Sequence, residues 1–236
     1  MKKLLLSFGV AILGLAAQAQ DFKPAKGDVT TEFGLTGGIN NTNFNLNNGA
    51  GLLRFRYFQK ADLAFRLGFN VESTSDTKNA YGIVGSPNEG KDGSSTNRGT
   101  NFLINLGVEK HFTGTDRLSP YVGADILFGT GSQKNTYDNT AGYGSSVYVD
   151  NQSGETKGPG YTSFGLRGVI GADYYIAKRL FLGVEAGLGF DYATAGKRTE
   201  TTTVAGTTTT VKSKSTGNGF DLEANVITGV RIGFAF

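Results

Sequence analysis

The 236-residue sequence has no cysteine, no tryptophan and a single histidine, His111. Without cysteine the chain has no disulfide, no thiolate metal site and no lipid-modified cysteine at its N-terminus. His111 is the obvious candidate for acid–base chemistry near neutral pH, but it stands alone. Acidic residues in the polar segments do not follow a calcium-binding spacing. We therefore expect no catalytic residue, no cofactor and no metal site, and we interpret His111 as a hydrogen-bonded structural residue.

Long apolar runs are also missing after residue 20, whereas a membrane-spanning helix needs about 20 apolar residues. The run at 4–17 is too short for this purpose. It follows two lysines and precedes Ala17-Gln18-Ala19, which is the pattern of a secretory signal with its cleavage site. A membrane anchor and a buried N-terminal helix are the alternatives. We expect 1–19 to be a signal peptide that is removed, and 20–28 to be a periplasmic N-terminal segment.

No strong excess of one charge is present either, since 23 basic residues face 20 acidic ones and two of the basic residues lie in the signal. We therefore expect no nucleic-acid partner. Glycine, in contrast, is abundant at 36 residues, together with 17 phenylalanines and 10 tyrosines. A glycine-rich chain with dispersed aromatic residues suits either a disordered chain or a β-barrel, and hydrophobic periodicity decides between the two.

The segment 180–192 has an apolar residue at every second position, and the residues between them are mostly small or charged. Alternate side chains of a strand lie on opposite faces. A strand of a soluble protein usually has about 5–6 residues. A tilted strand needs about 9–11 residues to cross a bilayer. The length of this alternation therefore favours a transmembrane strand.

The same pattern predicts eight strands in total. They lie at about 29–38, 53–57, 63–72, 101–109, 121–128, 164–174, 180–192 and 220–236. We predict an all-β fold for 29–236, namely an eight-stranded antiparallel up-and-down transmembrane β-barrel in the cell outer membrane.

The connections between these strands alternate in length. The short ones, at 59–62, 113–119 and 176–179, predict periplasmic turns. The long ones predict extracellular loops, and they lie at 40–48, 73–99, 129–160 and 193–218. This alternation places both termini in the periplasm. The threonine-rich segment 199–214 predicts a β-hairpin that extends the last strand pair above the membrane, although a disordered low-complexity loop fits the composition nearly as well.

Aromatic residues on the outward face collect at both ends of the predicted strands, as expected for the two interfaces of a bilayer. Those at the periplasmic ends are Tyr57, Phe112, Tyr174 and Phe236. Those near the outer ends are Phe69, Phe102, Phe128, Phe190, Tyr192 and Phe220.

Charged residues recur on the inward face. An eight-stranded barrel has an interior just wide enough for side chains, and buried charges must be paired or hydrogen-bonded. We therefore predict a structural polar network in the barrel interior. Its members are Arg54, Arg56, Arg66, Glu109, Asp125, Arg167, Glu185, Glu223 and Arg231. A selective or gated pore is the alternative, because the inward glycines leave room for water.

These strands, the signal and the closing residues 229–236 resemble the OmpA/OmpX-like barrels and the small porin-like outer-membrane barrels common in Bacteroidota. The terminal aromatic residue Phe236 resembles the assembly signal that the barrel-assembly machinery recognises. No peptidoglycan-binding domain follows the last strand, so we do not expect an OmpA-type wall anchor.

The resemblance implies contact with outer-membrane lipid and lipopolysaccharide, insertion by the assembly machinery, and partner membrane proteins. We expect a non-enzymatic integral protein with a structural or surface-interaction role through its extracellular loops. A narrow porin-like channel is the alternative, and a lipid- or peptide-modifying enzyme is a third.

Overall fold

The computed structural model describes residues 22–35, 53–214 and 217–236, except for the side chains of residues 35 and 223–230. Within these ranges no helix is long and apolar enough to cross a membrane. The signal predicted at 1–19 lies outside the described residues. The described ranges contain eleven strands: β1 Val29–Leu35, β2 Leu53–Lys60, β3 Leu63–Tyr81, β4 Asp92–His111, β5 Leu118–Thr140, β6 Tyr148–Lys157, β7 Tyr161–Ala177, β8 Leu180–Ala195, β9 Thr199–Val204, β10 Thr207–Lys212 and β11 Gly217–Ala235.

Eight of these strands close into a ring of antiparallel pairs, in the order β1, β2, β3, β4, β5, β7, β8 and β11, with β11 pairing back to β1. Ile232 on β11 is directly opposite Phe33 on β1. When directly opposed residues are traced from strand to strand once round the ring, the path returns to β11 not at Ile232 but at Phe220, displaced along the strand. Such a stagger accompanies tilted strands in a closed sheet. The predicted all-β, antiparallel, up-and-down arrangement is confirmed.

The two faces of the ring have opposite chemistry. Large apolar side chains are exposed on the outside, for example Leu188 at 59% and Phe65 at 50%. Charged side chains lie inside, where Arg56 is 0% exposed. This is the reverse of the distribution in water-soluble proteins, which bury arginine only when it is paired. The alternation along the strands therefore separates an apolar outer surface from a charged interior.

The short connections lie together at one end of the ring, where 22–28 packs against them. Arg179, in the β7–β8 turn, donates a backbone hydrogen bond to Phe22 and lies 3.3 Å from the Asp28 carboxylate. The Phe22 ring lies 4.4 Å from the guanidinium of Arg117. The N-terminal segment is thus attached to the turns by backbone and side-chain contacts.

At the opposite end, strands continue where we predicted long loops. The β3–β4 ladder runs unbroken to the pair Tyr81 and Asp92, and β5 extends to Thr140. The expectation of loops over most of 73–99 and 129–160 was therefore wrong. These segments have no apolar alternation, but threonine favours strands, and threonine and serine side chains bond across the ladder, as Thr77 and Thr96 do at 3.0 Å. We call residues 73–81, 92–100 and 132–140, together with β6, β9 and β10, the outer sheet.

The hairpin predicted within 199–214 is present as β9 and β10, joined by Ala205 and Gly206, which both have positive φ angles. Such a two-residue turn matches the twist of a hairpin. Its predicted place was wrong, because β9 pairs with β6 and does not extend the β8–β11 pair. Above the ring β5 separates from β7 and pairs with β6, so the free edge of β6 is available to β9.

The connection between β5 and β6 covers the inner face of the outer sheet. Tyr143 packs edge-on against Tyr137 with ring centres 5.1 Å apart, and its hydroxyl bonds to Thr156. The backbone N–H of Gly144 donates to Ser95 Oγ at 2.8 Å. Ser95 and Thr156 are buried, so the outer sheet has a small core of its own.

Candidate functional site: an ion-pair network inside the ring

Ten charged side chains meet inside the ring, and none is more than 4% exposed. Every one of the eight ring strands contributes at least one of them. The five cations are Arg54, Arg56, Arg66, Arg167 and Arg231, and the five anions are Glu32, Glu109, Asp125, Asp173 and Glu185. The formal charges of this set balance, as burial in a medium of low dielectric constant requires.

Glu185 on β8 is the centre of the network. Arg54 donates two hydrogen bonds to its carboxylate, at 2.9 and 3.0 Å. Arg66 donates two more, both at 3.0 Å. The Tyr121 hydroxyl donates at 2.8 Å, and Arg231 Nη1 lies 3.3 Å from Oε1. One carboxylate thereby holds three arginines from three other strands.

A second cluster surrounds Arg56 on β2. Its Nη1 donates to Glu109 Oε1 at 2.8 Å and to Asp173 Oδ2 at 2.7 Å. Its Nε lies 2.5 Å from Glu32 Oε1. The guanidinium also lies 4.9 Å from the centre of the Phe181 ring, a distance at which a cation and an aromatic face attract each other. Arg56 thus joins three carboxylates on three strands.

Asp125 and Glu109 connect the clusters to the rest of the ring. Arg66 Nε lies 2.8 Å from Asp125 Oδ1, and Arg167 donates to Asp125 Oδ2 from both Nε and Nη2. Arg66 Nη1 also reaches Glu109 Oε2 at 3.1 Å. Bidentate and shared contacts of this kind fix the orientation of a guanidinium. The network therefore links opposite walls of the ring.

Within the described part of the ring, four buried polar atoms have neither a hydrogen-bond partner nor an ion-pair partner. They are Arg56 Nη2, Asn105 Oδ1, Asp173 Oδ1 and Tyr175 Oη. A buried polar group without a partner is costly, and such groups usually bind ordered water. Polar atoms of this kind are where water would fit inside the ring.

The structure brings together eight of the nine residues that the sequence assigned to an interior network. The ninth, Glu223, has a backbone position opposite Gly189, and its side chain lies outside the described residues. Phe236, proposed as an assembly signal, is half exposed beside Phe234, with ring centres 5.2 Å apart. Its backbone N–H donates to Val29 O at 2.8 Å.

Four members of the interior were not predicted as parts of the network, namely Glu32, Asp173, Tyr121 and His111. Tyr121 accepts from Arg231 Nη2 at 2.5 Å while it donates to Glu185. His111 lies 2.8 Å from Ser119 Oγ and 3.1 Å from Glu109 Oε1. Their inward positions could be derived from the alternation, but their partners depend on the register of the ring. Among the described residues no three histidine, aspartate or glutamate side chains are placed to hold a metal ion.

The arrangement links side chains of different strands across the interior of the ring. Within the described part of the ring it offers no exposed nucleophile or base, since His111 is buried and hydrogen-bonded on both nitrogens. Removing one member would leave its partners charged and buried, which is strongly unfavourable. The network therefore contains side chains from all eight ring strands, joined by hydrogen bonds and ion pairs.

Comparison with known proteins finds a matching family model and similar solved structures. The family model of the OmpA-OmpF-like porin family matches residues 38–206. Among solved structures, the chain is similar to a major outer membrane protein from Thermus thermophilus, with 13% sequence identity, a TM-score of 0.43, and coverage of 89% of this chain and 98% of that one. No curated protein matches the chain. Because the family model spans most of the sequence, the chain belongs to the OmpA-OmpF-like porin family of outer-membrane proteins.

Proposed function

We propose that the ring is an eight-stranded transmembrane barrel in the cell outer membrane. The observation that carries this proposal is the inverted distribution of side chains, with charges inside and large apolar residues outside. The exposed apolar band includes Phe65, Leu106, Ile126, Phe164, Ile170, Val184 and Leu188. A lipid-facing band and a polar interior are the defining features of such barrels.

The orientation follows from the two ends of the ring. Short turns, the N-terminal segment and Phe236 lie at one end, and the outer sheet lies at the other. In outer-membrane barrels the short turns face the periplasm and the longer connections face the exterior. We therefore propose that both termini are periplasmic and that the outer sheet is extracellular.

Within this placement, the function best supported is a non-enzymatic one in which the barrel anchors the outer sheet and the sheet contacts the surroundings. The ten charged side chains fill the ring and link its walls, which favours a closed interior. A narrow channel for ions or small solutes is the second candidate. It is favoured by the four unpartnered polar atoms and by inward glycines such as Gly68, which leave space near the network.

Single-channel recording in planar bilayers tests this choice. The closed barrel predicts no reproducible conductance for the wild type. Replacing Arg56 and Glu109 together by serine removes one cation and one anion, and we expect discrete conductance steps from this variant. The paired substitution Arg198→Ser and Glu200→Ser, in an exposed ion pair of the outer sheet, is the control and should remain silent. Ion-selective conductance steps from the wild type would refute the closed barrel and support the narrow channel.

Membrane placement needs its own measurement. The wild type should float with lipid vesicles after washing with urea, and its unboiled form should migrate differently from the boiled form on a gel. A chain that stays in the soluble fraction and migrates identically in both states would refute the barrel in the membrane.

A further inference from the structure

Four basic residues form a row across the outer sheet. Arg98 on β4 is directly opposite Lys134 on β5, which is opposite Lys157 on β6. Lys157 is opposite Thr199 on β9, and Thr199 is opposite Lys212 on β10. Directly opposed residues share a face of a sheet, so all four cations project from the same side. We call Arg98, Lys134, Lys157 and Lys212 the basic row.

This face continues the apolar outer face of the ring. Arg98 lies four residues beyond the outward Phe102 on β4, and Lys134 lies six beyond Phe128 on β5. The β4–β5 ladder has no register shift between these positions, so the alternation is preserved. Four residues of strand span about 13 Å. The basic row therefore begins a short distance above the outer aromatic residues, on the side that lipid would contact.

The charge of the basic row is only partly neutralised within the described residues. Lys134 and Lys157 share one carboxylate, Glu155, at 2.6 and 2.7 Å. Arg98 and Lys212 are exposed and make no ion pair in the described part of the chain. The other acidic residues on this face, Asp138 and Asp92, lie further from the ring. Positive charge is thus concentrated on the part of the face nearest the apolar band.

Hydroxyl groups flank the basic row. On the same face, Thr100 and Ser132 lie two residues nearer to the ring along their strands, and Thr96 and Thr136 lie two residues further away. Guanidinium and ammonium groups bind phosphate oxygens by charge-assisted hydrogen bonds, and neighbouring hydroxyls supply further donors. The composition of this surface is complementary to a phosphorylated, sugar-bearing ligand.

We propose that the basic row binds the phosphate groups of lipopolysaccharide in the surrounding outer leaflet. The inference rests on the proposed membrane placement and deepens it by naming the contact surface and the ligand chemistry. We assign a lipid as the ligand because the basic row lies on the same face of β4 and β5 as the lipid-facing residues of the ring. A basic residue near an anionic membrane surface contributes about 1 kcal/mol, so removing three of these cations together should change affinity roughly a hundredfold.

The test compares purified lipopolysaccharide with the same material after enzymatic removal of its phosphates. Binding to the full-length protein in neutral detergent micelles is measured by titration. The variant carries Arg98→Gln, Lys157→Gln and Lys212→Gln. The control variant carries Lys26→Gln, Lys60→Gln and Lys178→Gln, which are exposed lysines at the opposite end of the ring. Both variants lose the same charge, and gel migration before and after boiling verifies that both are folded.

We expect the wild type and the control variant to prefer phosphorylated lipopolysaccharide, and the basic-row variant to lose about tenfold to a hundredfold in affinity for it. Equal binding of the phosphorylated and dephosphorylated forms would overturn the proposal, as would equal losses in both variants. Saturable binding of inorganic phosphate that needs the basic row, with no binding of phosphorylated lipopolysaccharide, would assign the row to free phosphate and likewise overturn it. If the wild type does not associate with lipid vesicles at all, the proposed membrane placement is refuted, and not the basic row alone.

Discussion

Arg54 on β2 and Glu185 on β8 are joined across the interior of the ring by two hydrogen bonds of 2.9 and 3.0 Å. Their strands are not neighbours, since β1 and β11 separate them on one side of the ring. A contact of this kind forms only when the sheet has closed with the correct stagger. It therefore couples the register of the backbone to the pairing of charges, and the stability of the ring depends on both.

Replacing Glu185 by alanine is expected to lower the free energy of unfolding by about 3–5 kcal/mol, because three buried arginines lose a shared acceptor. The measurement is urea unfolding in detergent micelles, followed by the difference in migration of boiled and unboiled samples. Glu200→Ala is the matched control. Its ion pair with Arg198 is nearly half exposed on both sides, so it should cost less than about 1 kcal/mol. Similar losses in the two variants would contradict a central role for Glu185.

Inward glycines give a second prediction, because they differ in the space around them. A Cβ on Gly107 would lie 2.1 Å from Asp125 Oδ1 and 2.4 Å from the carbonyl oxygen of Ala124. A Cβ on Gly68 would meet only the side chain of Asn105, at 3.5 Å or more. Gly107→Ala should therefore destabilise the protein by about 1–3 kcal/mol, and Gly68→Ala should have little effect. Unfolding in urea measures both, and an equal response would show that the network tolerates the added methyl group.

The ring strands could be predicted because a period of two is a local property of the sequence. Residues 180–192, chosen from alternation alone, lie within β8 at Leu180–Ala195. The outer sheet could not be predicted in the same way, since its segments alternate in hydroxyl and charge and not in hydropathy. Their stability comes from cross-strand pairs such as Thr203 with Thr208, at 2.9 Å, and such pairs are recognisable only when the partner strand is known.

The partners within the candidate site were also beyond sequence reasoning. Alternation assigns Arg54 and Glu185 to the inner face, but which arginine meets which carboxylate is set by the stagger of the closed ring. Tyr121 illustrates the same limit, because its hydroxyl is placed between Arg231 and Glu185 by three strands distant in sequence. The pairing of β9 with β6 likewise depends on the position along β5 at which its pairing partner changes from β7 to β6.

Glu155 in the outer sheet predicts a local pH dependence. Hydrogen bonds from Lys134 and then Lys157 hold the pKa of this carboxyl below its usual value of 4.5. The charged form is therefore favoured in the folded sheet. Its stabilising contribution is present above pH 4.5 and is lost as the pH falls through the lowered pKa of the folded state.

Amide hydrogen exchange of β6 in the wild type and in Glu155→Gln measures this contribution. At pH 6 the variant should exchange faster. As the pH is lowered below 4.5, the two proteins should converge once the intrinsic pH dependence of exchange is corrected. A difference that persists at pH 2 would show that protection of β6 does not depend on the charge of Glu155.

For Phe236 we predict that substitution impairs assembly in cells but leaves the stability of the folded protein nearly unchanged. Its ring is 49% exposed, and the hydrogen bond to Val29 O uses its backbone N–H. Phe236→Ala therefore keeps this bond, and the purified variant should refold in detergent nearly as well as the wild type. If the terminal ring is the group that the assembly machinery recognises, the folded fraction in cell membranes should fall several-fold.

The control is Phe33→Ala on β1, a residue that is 51% exposed but is not terminal. This control should accumulate normally, so an equal deficit of both variants in cells would assign the effect to the loss of an apolar surface residue and not to recognition of the C-terminus.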